Sequence, residues 1–175
     1  MLEKYLGKDT EEVTYEPDFI SFQICGAFYP FNKPTKTFPG LNDLLREAER
    51  HPMSYNRMKR DYENVAINAI RVGLRRWKPT GVVIPHYVFG EPNKGQKRDY
   101  DNIASAGRKI INDALVKSGY LKDDSPTYLE YGTNTFVYTL VPYIKVYLEE
   151  KEVKENEQGL DSTTSSDSGL LDMER

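Results

Sequence analysis

From Phe19 to Phe28 every second residue is apolar, with Ile20, Phe22 and Ile24 on one side, the period of a half-buried strand. The charged stretch before it ends at Glu16-Pro17. The two prolines of Phe28-Tyr29-Pro30-Phe31-Asn32-Lys33-Pro34 predict a loop, followed by a short helix over Asn42 to Arg50. Ser54 is a suitable N-cap for a longer helix to about Arg76, because Tyr55, Met58, Tyr62, Val65, Ala69 and Val72 recur at steps of three and four. Lys78-Pro79-Thr80-Gly81 breaks it, and Val82 to Phe89 reads as a second strand. Pro85, with no N–H to donate, favours an edge position for that strand.

After a Pro/Gly/Asn/Lys loop over Glu91 to Arg98, the residues Ile103, Ala106, Ile110, Ala114 and Leu115, with Gly107 packing close, mark a second long helix. Gly119 is its natural C-terminal stop. Lys122-Asp123-Asp124-Ser125-Pro126 is a turn, and Thr127 to Tyr131 with Thr135 to Leu148 predict a closing hairpin around Gly132-Thr133-Asn134, interrupted at Pro142. The order strand, helix, strand, helix, hairpin predicts an α+β fold: a small mixed sheet with two long helices packed on it, and no internal repeat. Residues 19–148 then form one folded domain, residues 1–18 a charged extension, and residues 149–175 an acidic Ser/Thr-rich tail expected to be disordered, too poor in apolar residues to offset its ordering entropy.

The size, 175 residues and 20.2 kDa, suits one such domain, and 38% hydrophobic residues suffice for its core. No apolar run approaches the ~18 residues that span a bilayer, and Met1-Leu2-Glu3-Lys4-Tyr5 does not resemble a signal peptide, so a cytoplasmic protein is expected. Cys25 has no second cysteine to pair with, and with His51 and His86 it makes no zinc-type cluster. A metal here would be held by oxygen.

The net charge of −3 conceals three opposed segments. Residues 1–18 hold 2 Lys against 6 Asp/Glu, residues 51–110 hold 12 Lys/Arg against 5 Asp/Glu, and residues 149–175 hold 3 against 9. The middle segment is thus +7, and gripping phosphates needs a local cationic surface rather than a positive total. A solvated helix face explains Arg71, Arg75 and Arg76 equally well when they are taken alone.

Within the basic segment lies Lys97-Arg98-Asp99-Tyr100-Asp101-Asn102, at a loop-to-helix junction, with Asp123-Asp124 beyond the far end of that helix in sequence. Neighbouring carboxylates repel one another unless a cation or proton intervenes. Magnesium takes oxygen ligands from a few carboxylates and from substrate phosphates, which suits an Asp cluster in a basic setting. Asp at a helix start also favours the helix dipole without any metal, and Asp123-Asp124 also fits a plain surface turn.

The stretch KRDYDNIASAGRKIINDALVKSGYLKDDS resembles the core signature of the RusA-type Holliday-junction resolvases. The likeness rests on Asp-x-Asp-Asn at the helix entrance, Asp113-Ala114-Leu115 near the helix end, Gly119 at its exit and Asp123-Asp124 after it. More loosely it takes in the first strand with Pro30 and Asn32, so that it covers residues 19–148. It implies a magnesium-dependent endonuclease that cuts four-way DNA junctions, with manganese as a possible substitute, acts as a homodimer in a bacterial or phage-infected cell, and is often phage or prophage encoded. Carried over by position, Asp99, Asp101 and Asp124 match the metal-holding catalytic carboxylates. The family's catalytic lysine falls on Ser105, or on Lys109 if one helical turn has been inserted. Arg108, which shares a helix side with Asp101, is a rival for that cationic role.

On this expectation a metal-activated water attacks the phosphodiester in line, and Lys94, Lys97, Arg98, Arg108, Arg71, Arg75 and Arg76 hold the DNA by its phosphates. The alternatives are a non-catalytic branched-DNA or RNA binder, disfavoured by retention of all three carboxylates, and a nucleotide-sugar transferase, disfavoured by the lack of a Gly-rich nucleotide turn.

Overall fold

A computed structural model describes residues 19–26, 29, 37–93 and 97–151. In chain order the elements are β1 (Ile20–Cys25), α1 (Leu41–Arg50), α2 (Pro52–Leu74), β2 (Val82–Pro92), α3 (Tyr100–Lys117), β3 (Asn134–Thr139) and β4 (Tyr143–Lys151). The four strands make one mixed sheet in the order β1-β4-β2-β3, in which β4 is antiparallel to both β1 and β2 while β3 runs parallel to β2. The fold is thus mixed α+β, as expected, and among the described residues no helix is long and apolar enough to cross a membrane.

The alternation seen in the sequence sets which sheet face is covered. Phe22, Ile24, Tyr87, Phe89, Ile144, Val146 and Leu148 fall on one face by register and enter one core with Tyr62, Ala66, Ile70 and Leu74 of α2 and Ile103, Ile110, Ile111, Ala114 and Leu115 of α3. The α2 core row recurs every four residues. Tyr55, Met58, Val65 and Ala69 flank that row, half-buried, whereas Val72 is 72% exposed and belongs to the outer side. Gly107 allows α3 to lie directly on the sheet, since a Cβ there would come within 2.7 Å of the Phe89 ring.

Three expectations are corrected. The final two strands form no hairpin: β2 lies between β3 and β4, and residues 127–131 contribute only the isolated bridge Leu129 to Val83. Parallel pairing of β2 and β3 is possible because α3 forms the crossover between them. The strand bearing Pro85 is interior rather than at an edge, yet the reasoning about its missing N–H holds locally. Val83 and Tyr87 donate their N–H to Tyr128 and Thr133 on the β3 side, so residue 85 would point the same way, at a stretch where β3 has not begun. Third, α2 begins before Ser54: His51 is the N-cap, its Nδ1 accepting from the Met53 N–H at 3.1 Å, with Pro52 in the first turn.

The far end of α3 closes as expected. Gly119 has φ 79°, and the N–H groups of Gly119 and Tyr120 donate to the carbonyls of Val116 and Leu115, the paired bonds of a Schellman stop. β4 continues through Glu149, Glu150 and Lys151, where a tail was expected to begin. The Glu150 carboxylate accepts from the backbone of Gly81 and Thr80, bonds that hold its pKa below the ordinary glutamate value and fasten this strand end to the start of β2. The N-terminal extension, the loop with Pro30 and Asn32, Lys94 and the chain after Lys151 lie outside the described residues.

Candidate functional site

Helix α3 carries the candidate residues, and its two ends differ. At its start Asp99 occupies the N-cap position in extended backbone (φ −66°, ψ 142°), but its side chain makes no capping bond. Asp101 follows in the first turn. Both are exposed, and neither carboxylate has a hydrogen-bond or ion-pair partner among the described residues. The dipole at a helix start favours two negative charges there, which accounts for part of this arrangement without a ligand.

Asn102 anchors the same end, its Oδ1 accepting from the Asn42 N–H at 2.8 Å and so tying the start of α3 to the start of α1. Arg98, just before the helix, was expected to face phosphate. Instead its guanidinium makes a two-pronged contact with Glu91, Nε to Oε2 at 3.0 Å and Nη2 to Oε1 at 2.7 Å, and donates to the Phe38 carbonyl at 2.8 Å. Both side chains are largely buried, 16% and 13% exposed, so Arg98 is a buried strut rather than a phosphate contact.

Further along α3 the charges are saturated. Lys109 Nζ lies 2.8 Å from Asp113 Oδ1 and 3.1 Å from Asp124 Oδ2, so the loop after α3 folds back onto the middle of the helix. Asp113 Oδ2 also receives Lys59 of α2 at 2.7 Å, while Lys59 lies 3.5 Å from Glu63 and Glu63 also meets Lys117. The result is an alternating chain, Lys117, Glu63, Lys59, Asp113, Lys109, Asp124, that clasps α2, α3 and the following loop. Hydrogen bonds that Lys109 donates to Asp113 and then Asp124 raise its pKa above the ordinary lysine value. Burial would raise that of Asp113, but the bonds from Lys109 and Lys59 outweigh it and the net shift is downward.

Asp124 is therefore close to Lys109 rather than to Asp101. Lys109 follows Asp101 by eight residues, ~12 Å along the axis at ~1.5 Å per residue. Among the described residues no group of three or more His, Cys, Asp or Glu side chains could hold a metal ion. The pair Asp99 and Asp101 fits magnesium in the manner of sites that use one or two carboxylates and leave the remaining positions to water and substrate phosphate. Asp123 caps its own turn, its Oδ1 accepting from the Asp124 N–H at 2.9 Å.

The expected basic face divides as well. Lys97 is exposed, with Nζ 5.0 Å from the centre of the Tyr138 ring, and the Arg108 guanidinium lies 4.1 Å above the Tyr131 ring. Both stand along the acidic half of α3. Arg71, Arg75 and Arg76 are exposed at the other end: α2 stops at Leu74, Arg75 takes φ 45°, and its carbonyl accepts from the hydroxyl of Tyr120, which follows α3. The 18 residues of α3, ~27 Å of helix, separate that cluster from Asp99 and Asp101. Tyr100, Tyr131 and Tyr138 were not singled out from the sequence, although 13 tyrosines in a chain with a basic centre were a signal for aromatic and cationic side chains interleaved on one surface.

No protein-family model matches the chain, and no curated protein matches it. The site therefore rests on its own geometry.

Proposed function

We propose that the protein is a magnesium-dependent endodeoxyribonuclease of the RusA type that resolves four-way DNA junctions. The observation that carries this reading is the pair of exposed carboxylates at the start of α3, without partners among the described residues, with Lys97 just before them in sequence and Arg108 two turns along the helix on the side of Asp101. Two like charges without partners among the described residues, in a basic stretch of chain, suit a site completed by a cation that arrives with the substrate. Bound magnesium, or manganese in its place, would supply an acidified water and neutralise charge on the scissile phosphate.

The chain's own residues divide the remaining work. Asp99 and Asp101 hold the metal. Lys97 and Arg108 grip backbone phosphates near the cut, contacts that position DNA without reading its sequence. Lys109 and Asp124 form an ion pair whose side chains are 58% and 37% exposed, and such pairs stabilise by only ~0–1 kcal/mol. A phosphate can take Lys109 from Asp124, which leaves the lysine to stabilise developing negative charge, while Asp124 stays beside the middle of α3. Symmetric cutting of opposed strands needs two such sites, so the active form is a homodimer with two-fold symmetry.

Incubation of the full chain with a labelled synthetic four-way junction tests the reading. Paired nicks that require Mg²⁺ and disappear in excess chelator are expected. Tight junction binding with no cleavage in Mg²⁺ or Mn²⁺ would instead favour a non-catalytic branched-DNA binder.

A further inference from the structure

Four aromatic rings form a column that begins in the core and ends at the surface beside the acidic pair. Tyr87 stacks on Phe89 with centroids 5.8 Å apart, Phe89 on Phe136 at 5.2 Å, and Phe136 on Tyr100 at 4.2 Å, with interplanar angles of 12°, 17° and 14°. Tyr87 and Phe89 are buried, Phe136 is partly buried, and Tyr100 is 57% exposed. The last ring is thus held flat and rigid from beneath, and it lies between Asp99 and Asp101 in sequence.

Its surroundings extend the same chemistry. β3 is an edge strand of the sheet, and the α3 segment meets it and the residues just before it in strict order: Lys97 with Tyr138, Tyr100 with Phe136, and Arg108 with Tyr131. Tyr131 is 76% exposed and Tyr138 45%. The seam between helix and edge strand therefore presents rings alternating with cations, and Arg108 lies within ~20° of Asp101 around an ideal helix, so the acidic pair borders it. A core packed for stability alone does not need its aromatic column to end in an exposed plate, and large apolar surface left at one seam marks a binding surface.

We propose that this seam is a stacking site for unpaired bases of a DNA strand, with Tyr100 as the principal plate and Tyr131 as a second. Every base has a π-face, so rings accept any sequence, while Lys97 and Arg108 meet the backbone phosphates. Fully paired duplex keeps its bases within its own stack and offers nothing to these rings. The inference rests on the nuclease reading and narrows its substrate: DNA with unstacked bases at the point of cutting, such as the open centre of a junction or a single-stranded gap.

The test uses the full chain in chelator, so that binding is read without cleavage. Fluorescence anisotropy compares a single-stranded oligonucleotide with a blunt duplex of the same length, and 2-aminopurine in the single strand reports stacking by quenching. Tyr100→Ala should weaken single-strand binding about fivefold or more and relieve the quenching, while duplex affinity changes less than about twofold. Tyr100→Phe, which keeps the ring, should bind as the parent does. Tyr131→Ala, at a site too exposed to threaten folding, should show a smaller loss of the same kind and decides the matter if Tyr100→Ala fails to fold. Parental single-strand affinity and quenching in the alanine variants, or equal losses on both DNAs, would overturn the proposal. A parent that cuts no DNA in Mg²⁺ yet shows the Tyr100 dependence would remove the nuclease reading and leave the stacking site standing.

Discussion

The start of α3 and its middle carry the same kinds of side chain and treat them in opposite ways. At the start, Asp99 and Asp101 are exposed without partners among the described residues, whereas at the middle Lys109, Asp113 and Asp124 are joined to one another and, through Lys59, to α2. Paired charge contributes to the fold; charge without partners among the described residues is, on the proposed reading, open to a ligand. The sequence motif alone treats Asp99, Asp101 and Asp124 as one set. The structure separates them, and that separation is what mutagenesis can break or sharpen.

The largest effect should come from the bare end. Asp101→Asn should reduce junction cleavage by ~100- to 1000-fold, the scale of losing one preorganised charge at a reacting centre. Because that side chain makes no hydrogen bond or ion pair with any other described residue, the melting temperature should stay within about 2 °C of the parent and junction binding should be intact or tighter. Gel-resolved nicking and thermal melting check both halves.

Arg98→Ala should come next, through stability rather than DNA affinity. Removing the guanidinium leaves Glu91 as an uncompensated, largely buried charge and orphans the Phe38 carbonyl, a loss of about 3 kcal/mol. Denaturant unfolding measures it. If stability is parental and only DNA affinity falls, Arg98 faces phosphate after all.

Asp113→Asn should cost about 1.5 kcal/mol near neutral pH, since both bonds are charge-assisted. The pH dependence has a definite sign. The folded-state pKa of Asp113 lies below the ordinary 3.8, so its ionised form stabilises the fold above pH 3.8 and this contribution fades as pH falls through the lower folded value. The gap between parent and variant in urea midpoint should therefore narrow below pH 3.8. A gap that widens there contradicts the clasp.

The smallest effect belongs to Arg71→Ala, which should change junction affinity less than about threefold at physiological salt, because it removes one exposed cation far from the acidic pair. A loss as great as that from Arg108→Ala would place DNA along the whole of α3.

Local pattern carried much of this into the sequence. The alternation of Ile20, Phe22 and Ile24, the three-and-four spacing of α3, and the stop at Gly119 depend on neighbours within a few residues, and each appears in the structure, whereas α2 forms as expected but buries Tyr62, Ala66, Ile70 and Leu74 in place of most of the expected row. What pattern could not carry was pairing at a distance. Thr127 to Tyr131 and Thr135 to Leu148 flank Gly132-Thr133-Asn134 and look like a hairpin, but α3 leaves room beside β2 for a parallel partner, and residues 134–139 take it as β3. Arg98 next to Asp99 reads as part of a cationic site until Glu91, seven residues back, is seen to hold it. The same limit applies to Asp124, whose partner Lys109 is 15 residues away, and to Tyr100, whose ring gains its meaning only from Phe136 beneath it.

The most direct test compares Asp101→Asn with Lys59→Met, one variant from each region, for junction cleavage in Mg²⁺ at 25 °C and for melting temperature. The account predicts a double dissociation: Asp101→Asn melts like the parent and does not cut, whereas Lys59→Met, which breaks the clasp between α2 and α3, melts lower and cuts at the parental rate while folded. Parental cleavage by Asp101→Asn, or loss of cleavage by folded Lys59→Met as complete as that of Asp101→Asn, would contradict it.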